Sequence, residues 1–303
     1  MSKEQFRKVR LSKGNMARLE DINEIIKSYQ CQGYVLTLRQ LYYQLVSRDI
    51  IPNKLAEYSK LSTLLKEGRM GWIVDWNAIE DRLRQPYIPY SVDDIEDAID
   101  DTVKQYRLDR MLGQDTYIEV WVEKDALSGV LKRITKKYHI NILVNRGYSS
   151  ASAMFDAYNR FDNALARDKS SVRILYLGDF DPSGLDMIRD IDSRIREFFA
   201  PHARFWDVGD YLDFEIVPIA LTREQINQYN PPPNPAKRTD PRAANFIRDE
   251  WTTSWEVDAL KPEILNQILE DAILENLDLE QYENMLAKEQ AERTKIAELR
   301  NFL

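Results

Sequence analysis

A single cysteine, Cys31, occurs in 303 residues, so no internal disulfide can form. That fits a chain kept in a reducing cytoplasm. The two histidines, His139 and His202, are too few and too far apart for a zinc centre. No apolar run approaches the ~18 residues of a membrane span, and the opening MSKEQFRKVR lacks the apolar stretch of a signal peptide. These absences point to a cytoplasmic protein with no membrane partner. Positive charge is also in deficit, with 42 Lys and Arg against 50 Asp and Glu and a net charge of −8. Such a balance argues against an indiscriminate nucleic-acid binder. The deficit is uneven, however. Residues 1–20 carry six basic and two acidic side chains, whereas residues 91–101 carry six acids and no base. A basic arm can hold phosphates while an acidic segment elsewhere sets the net sign.

What is present is a long chain with a 44% hydrophobic fraction, enough for two domains and a sizeable core. The first part has helical periodicity. Met16, Leu19, Ile22, Ile25 and Ile26 share one face of a helix over Lys3–Gln32, which Gly33 can stop. Thr37 is a good N-cap for Leu36–Asp49, and Tyr58–Glu67 reads as a third helix. Gly68–Gly71 then turns the chain into a strand-like run, Trp72–Trp76. Helix, helix and short strand resemble a winged helix-turn-helix, a module that presents one helix to a DNA groove. An acidic helix, Asp93–Tyr106, serves as a connector.

After Gly113–Asp115 the rhythm changes. Strands at Thr116–Val122, Ile140–Asn145, Val172–Gly178 and Phe214–Ala220 alternate with helices at Leu127–Lys137, Ser149–Phe161 and Leu185–Phe199. This alternation predicts an α/β fold with a mostly parallel sheet. Thr222 can cap a short helix, Asn230–Pro241 reads as a proline-rich loop, and Glu256–Leu303 is helical and charged. The expected division is a helical, DNA-binding domain over residues 1–112 and an α/β domain over residues 116–303.

The residues with chemical potential stand at strand ends. Glu123 follows the first strand of the second domain, and Asp179 and Asp181 follow the third. Asp, Pro, Ser and Gly are all turn formers, so Asp179–Gly184 also reads as an ordinary strand-end turn. If the two strands are neighbours, three carboxylates meet at the carboxyl edge of the sheet, where α/β folds bind ligands. A hard, oxygen-rich set of this kind suits Mg²⁺ or Mn²⁺. The lone glutamate could also act as a general acid or base.

Three segments, VEKDALSG (Val122–Gly129), NRGYSSAS (Asn145–Ser152) and YLGDFDPSG (Tyr176–Gly184), resemble the Toprim domain. Within it they are most similar to the branch found in the A subunit of topoisomerase VI and the meiotic double-strand-break protein. The resemblance implies metal binding by Glu123, Asp179 and Asp181. That branch also carries a DNA-cleaving tyrosine on a winged helix before Toprim. Here LTLRQLYYQL (Leu36–Leu45) is similar to its Arg-x-(Ile/Leu)-Tyr-Tyr pattern, so the resemblance implies Tyr43 as nucleophile with Arg39 nearby. A tyrosine can retain a phosphate as an ester, and an arginine can stabilise the charge that grows on it. Without the resemblance, Tyr42 reads as core and Tyr43 as a half-buried aromatic.

The leading expectation is therefore a Mg²⁺- or Mn²⁺-dependent enzyme that cleaves duplex DNA through a tyrosine ester. The resemblance implies a homodimer whose Tyr43 approaches the Asp179 of the other chain, with a DNA groove lined near Arg39, Lys54, Lys60, Lys66 and Arg69. ATP-driven strand passage would need a separate ATPase subunit. Ser254–Leu265 also looks like a tail segment of related proteins, with Glu256 and Asp258 as acids of unassigned role. The alternatives are a Toprim nuclease using metal and water on DNA or RNA, a haloacid-dehalogenase-type phosphatase with Asp179 as nucleophile, and a non-catalytic DNA-binding regulator.

Overall fold

The computed structural model describes residues 6, 8–80, 89–203, 213–235 and 253–299. It is an α/β protein built on a four-stranded parallel sheet. The N-terminal part is helical: α1 (Lys13–Cys31), α2 (Leu38–Val46) and α3 (Leu55–Met70). Thr37 caps α2 as its sequence position predicts, and Gln40 completes a reciprocal capping box. Leu19, Ile22, Ile25 and Ile26 of α1 are buried against these helices, whereas Met16 is exposed. Two short strands, β1 (Leu36–Thr37) and β2 (Ile79–Glu80), pair in parallel.

Two expectations fail here. Gly68 lies inside α3 and is not a turn, and Trp72–Trp76 is not a strand. Trp72 adopts φ 68°, a left-handed conformation that no strand accommodates, and Asp75 caps a short 3-10 turn at Trp76–Ala78. Among the described residues no antiparallel wing follows α3.

The acidic connector is α4 (Ile95–Gln105). There follow β3 (Thr116–Val122), α5 (Asp125–Tyr138), β4 (Asn141–Val144), α6 (Ala151–Arg167), β5 (Ser171–Leu177), α7 (Pro182–Ala203), β6 (Asp213–Ala220) and α8 (Arg223–Tyr229). The sheet order is β4-β3-β5-β6. The central strands β3 and β5 are mostly apolar because they are covered on both faces, whereas the edge strand β6 exposes Asp213 and Glu215. Val120, Val122, Leu175 and Leu177 enter one core, while Trp121, Ile174 and Tyr176 enter the other. Side chains alternate between faces with period two, so a continuous apolar run fills both layers.

The proline-rich segment contributes β7 (Asn234–Pro235), which pairs antiparallel with β8 (Thr253–Ser254). Residues 230–233 carry no regular structure, and residues 236–241 of the expected Asn230–Pro241 loop lie outside the described residues. The tail is not one helix. It enters as a 3-10 turn at Val257–Ala259, then forms α9 (Pro262–Leu274) and α10 (Leu279–Glu298). Leu265, Leu269 and Ile273 of α9 close the core shared by α5 and the sheet. Among the described residues no helix is long and apolar enough to cross a membrane.

Candidate functional site

β3 and β5 are hydrogen-bonded neighbours with Val122 opposite Leu177, so Glu123 and Gly178–Asp179 leave the sheet at the same edge. The Asp179 N–H donates to Glu123 Oε2 at 3.1 Å, which ties the two strand ends together. Asp181 Oδ1 accepts from the Gly184 N–H at 2.7 Å and holds the first turn of α7. The bend is tight: a Cβ on Gly184 would lie 2.2 Å from the Asp179 carbonyl oxygen, so only glycine fits.

A segment of the tail is stitched across this edge. Phe180 and Trp255 exchange backbone hydrogen bonds of 2.9 and 3.1 Å, and the Val257 N–H donates to Asp179 Oδ1 at 2.9 Å. Glu256 and Asp258 are thereby brought beside Asp179. Lys124 binds all three: its Nζ lies 2.8 Å from Asp179, 2.8 Å from Glu256 and 2.9 Å from Asp258. From the helical part, Arg39 pairs with Glu256 and, at 2.9 Å, with Asp258. Its guanidinium also lies 5.9 Å from the centre of the Tyr43 ring. Two cations thus hold three largely buried carboxylates, which would be costly to bury unpaired.

Sequence reasoning missed Lys124, although it stands inside VEKDALSG. It noted Glu256 and Asp258 without a role. A lysine beside the strand-end glutamate and an acid pair 77 residues beyond Asp179 give no local sign that they meet.

Arg39, Tyr42, Tyr43, Tyr58, Asp179, Asp181 and Glu256 line one cleft of about 420 Å³. Tyr43 and the Asp179–Asp181 turn therefore line the same cleft within one chain. Within one chain the cations expected to line a DNA groove stand on separate hollows. Lys66 and Arg69 line an adjoining hollow that shares Arg39 and Tyr58 with the cleft. Lys60 lies on a different hollow and pairs with Glu57 at 2.7 Å. Lys54 meets Tyr42 through its backbone carbonyl, which accepts from the phenol at 3.2 Å. Glu123 does not line the cleft and sits behind Asp179.

Burial governs the protonation behaviour of the site. It raises Asp179 to about 7, against the opposing pull of Lys124, and it also raises Glu123. Burial would raise Glu256 as well, but Lys124 and Arg39 outweigh it and hold that carboxylate down at about 2. Burial pushes the Tyr43 phenol well above its ordinary range, and the negative charges of Asp258 and Glu256 add to the shift.

As the side chains stand, no group of three or more acids, histidines or cysteines among the described residues is arranged to hold a metal ion. Their oxygens are engaged by backbone N–H groups and by Lys124. The donor chemistry still suits a hard cation, because Mg²⁺ keeps most of its waters and uses only one or two carboxylates. Beside Glu123 the Tyr176 hydroxyl and the Asn145 amide are buried facing each other, with no hydrogen bond of good geometry to any other group, and the Glu123 charge acts on Tyr176. Such groups are ordinarily satisfied by water or an ion. No protein-family model matches the chain, and a search of curated proteins returns no match.

Proposed function

We propose that this chain is a cation-dependent, DNA-cleaving enzyme in which Tyr43 attacks a phosphodiester, with a winged-helix-like module over residues 1–112 and a Toprim-like module over residues 116–303. The observation that carries this reading is the single cleft lined by Tyr43, Arg39, Asp179 and Asp181. The Tyr43 oxygen would form a bond to phosphorus as the bond from phosphorus to the leaving sugar oxygen breaks. The phenol gives up its proton and the sugar oxygen gains one. Arg39 would exchange a carboxylate for the phosphate and stabilise its growing charge. Mg²⁺ or Mn²⁺, held by Asp179 and Asp181 with Glu123 behind them, would supply further positive charge at the phosphate. Holding nucleophile and phosphate in line is the largest gain available to such a site.

In this reading the composite site is complete in one chain, and neither a partner protomer nor an ATPase subunit is required for cleavage. The test uses supercoiled plasmid with Mg²⁺ or Mn²⁺, stopped in detergent with and without protease. Nicked or linear DNA whose mobility changes after protease is expected, and Tyr43→Phe should abolish it. A mixture of Tyr43→Phe and Asp179→Ala should stay inactive. Nicking regained in that mixture would instead restore a site shared between two chains.

A second reading is a metal-dependent nuclease that uses water, with Tyr43 structural. It is favoured by one observation: Tyr43 is only 4% exposed, and burial keeps its phenol protonated. Cleavage that survives Tyr43→Phe and leaves no protein on the DNA would select it.

A further inference from the structure

A second hollow lies at the opposite end of the sheet. It has a volume of about 890 Å³ and is bounded by Tyr117 and Ile118 of β3, Asn141 and Ile142 of β4, and the ends of α5 and α6. At ~3.3 Å per residue, Ile118 is roughly 15–20 Å along β3 from Glu123. The cleft with Tyr43 cannot be the same place.

The lining contains six Lys or Arg and two Asp, in a chain of net charge −8. Three of these cations have internal work. Arg160 grips the buried Glu119 at 2.6 Å, Lys169 pairs with Asp168 at 3.0 Å, and Arg107 lies 3.8 Å from Glu289. The other three, Lys132, Lys136 and Arg167, are exposed and close no ion pair among the described residues.

A purely structural account covers only part of this. Lys136 and Arg167 stand in the last turns of α5 and α6, where cations complement the helix dipole. Lys137 already serves the same turn and is itself paired with Glu270. Lys132 lies one turn earlier, beyond the reach of the dipole. It is also four residues before Lys136, a spacing at which like charges repel. The ion pairs and helix ends of the fold therefore leave Lys132 without an internal role.

We propose that this hollow is a second ligand site, which binds a phosphate chain through Lys132, Lys136 and Arg167. Cations that outnumber the acids around a concavity, here six against Asp109 and Asp168, attract phosphate groups and release counterions on binding. The same chemistry is presented by a nucleic-acid backbone and by a free nucleoside triphosphate, and the proposal is independent of whether Tyr43 cleaves anything.

The test is fluorescence anisotropy of the full chain with a labelled 20-nucleotide single strand, across a range of salt. The triple variant Lys132→Glu, Lys136→Glu, Arg167→Glu should weaken binding at least 10-fold and lower the salt slope by about 2. A control variant, Lys27→Glu, Lys261→Glu, Lys295→Glu, carries the same net charge from exposed lysines that line none of the cavities described. It should lose much less. The neutral set Lys132→Gln, Lys136→Gln, Arg167→Gln should fall between, and it retains the comparison if the reversed set misfolds. Competition then distinguishes the source. Displacement by millimolar ATP assigns the site to free nucleotides, and displacement by unlabelled strand alone assigns it to a backbone. Equal losses in the triple variant and the control, or no loss in either, would overturn the proposal.

Discussion

Lys124 is the residue on which most of the candidate site depends. It is 17% exposed and is the shared partner of three carboxylates, one of them, Asp258, with a fully buried side chain. Removing one member of a buried ion pair typically costs about 3–5 kcal/mol, because the remaining charge is left uncompensated. Lys124→Met should therefore lower the melting temperature by several degrees, while Lys124→Met with Asp258→Asn should recover part of the loss. Strictly additive effects in thermal or urea unfolding would show that the two do not form a unit. The carboxylates also set opposite pH dependences. Glu256 is held at about 2, below its ordinary 4.5, so its charge favours the folded chain. That contribution is complete above about pH 4.5 and is lost as pH falls towards 2. Asp179 is raised from 3.8 to about 7, so its charge opposes folding progressively as pH rises between those values. Melting curves of Glu256→Gln should flatten the acid limb, and those of Asp179→Asn should flatten the decline between about pH 4 and 7.

At the scale of elements, the turn from β5 into α7 is the most tightly specified piece of backbone. Gly184 is the third residue of α7 and its α-carbon faces the Asp179 carbonyl. A methyl group there cannot be absorbed by a rotamer change, since the obstacle is main chain. Gly184→Ala should destabilise by about 1–3 kcal/mol, in the range of overpacked sites. It should also abolish the proposed cleavage, by displacing Asp179 and Asp181 together. Gly14, near the start of α1, provides the contrast. A methyl group on Gly14 would meet nothing within 4 Å, so Gly14→Ala should be neutral or gain up to about 1 kcal/mol from helix propensity. Equal unfolding midpoints for the two variants would contradict this account of the turn.

Across the whole molecule, the tail joins the two halves. Ala259 packs into the core of α1, α2 and α3, while Val257, Leu260, Leu265 and Leu269 pack into the core of the sheet. The Arg39 pairs with Glu256 and Asp258 fasten the same junction electrostatically. The cleft is thus assembled from four separated stretches: α2, the segment from Asn53 to Tyr58, the turn after β5 and the segment from Ser254 to Glu256. Truncation before Thr253 would uncover the sheet face that α9 closes, and it would leave Arg39 and Lys124 without two of their partners. Such a protein should express as aggregate or show exposed hydrophobic surface by dye binding. A soluble, cooperatively unfolding fragment would mean that the tail is an accessory layer.

The sequence alone determined most of the element order. The strand Thr116–Val122 is legible to the residue, because an apolar run of that length between turn residues has few other solutions. The capping positions Thr37 and Thr222 are local chemistry and need no tertiary information. The adjacency of β3 and β5, and with it the meeting of Glu123 and Asp179, was legible as a condition that the sheet order satisfies. Trp72–Trp76 differs from the expected strand because a short apolar run such as Trp72–Val74 looks alike whether it forms a strand or a folded-back turn. What only the tertiary structure decided is the company each side chain keeps. Lys124 reads as a surface lysine and Glu256 as an ordinary helical acid until the tail crosses the sheet edge. Pairing between residues 132 positions apart is a property of how the chain packs, and no local periodicity carries it.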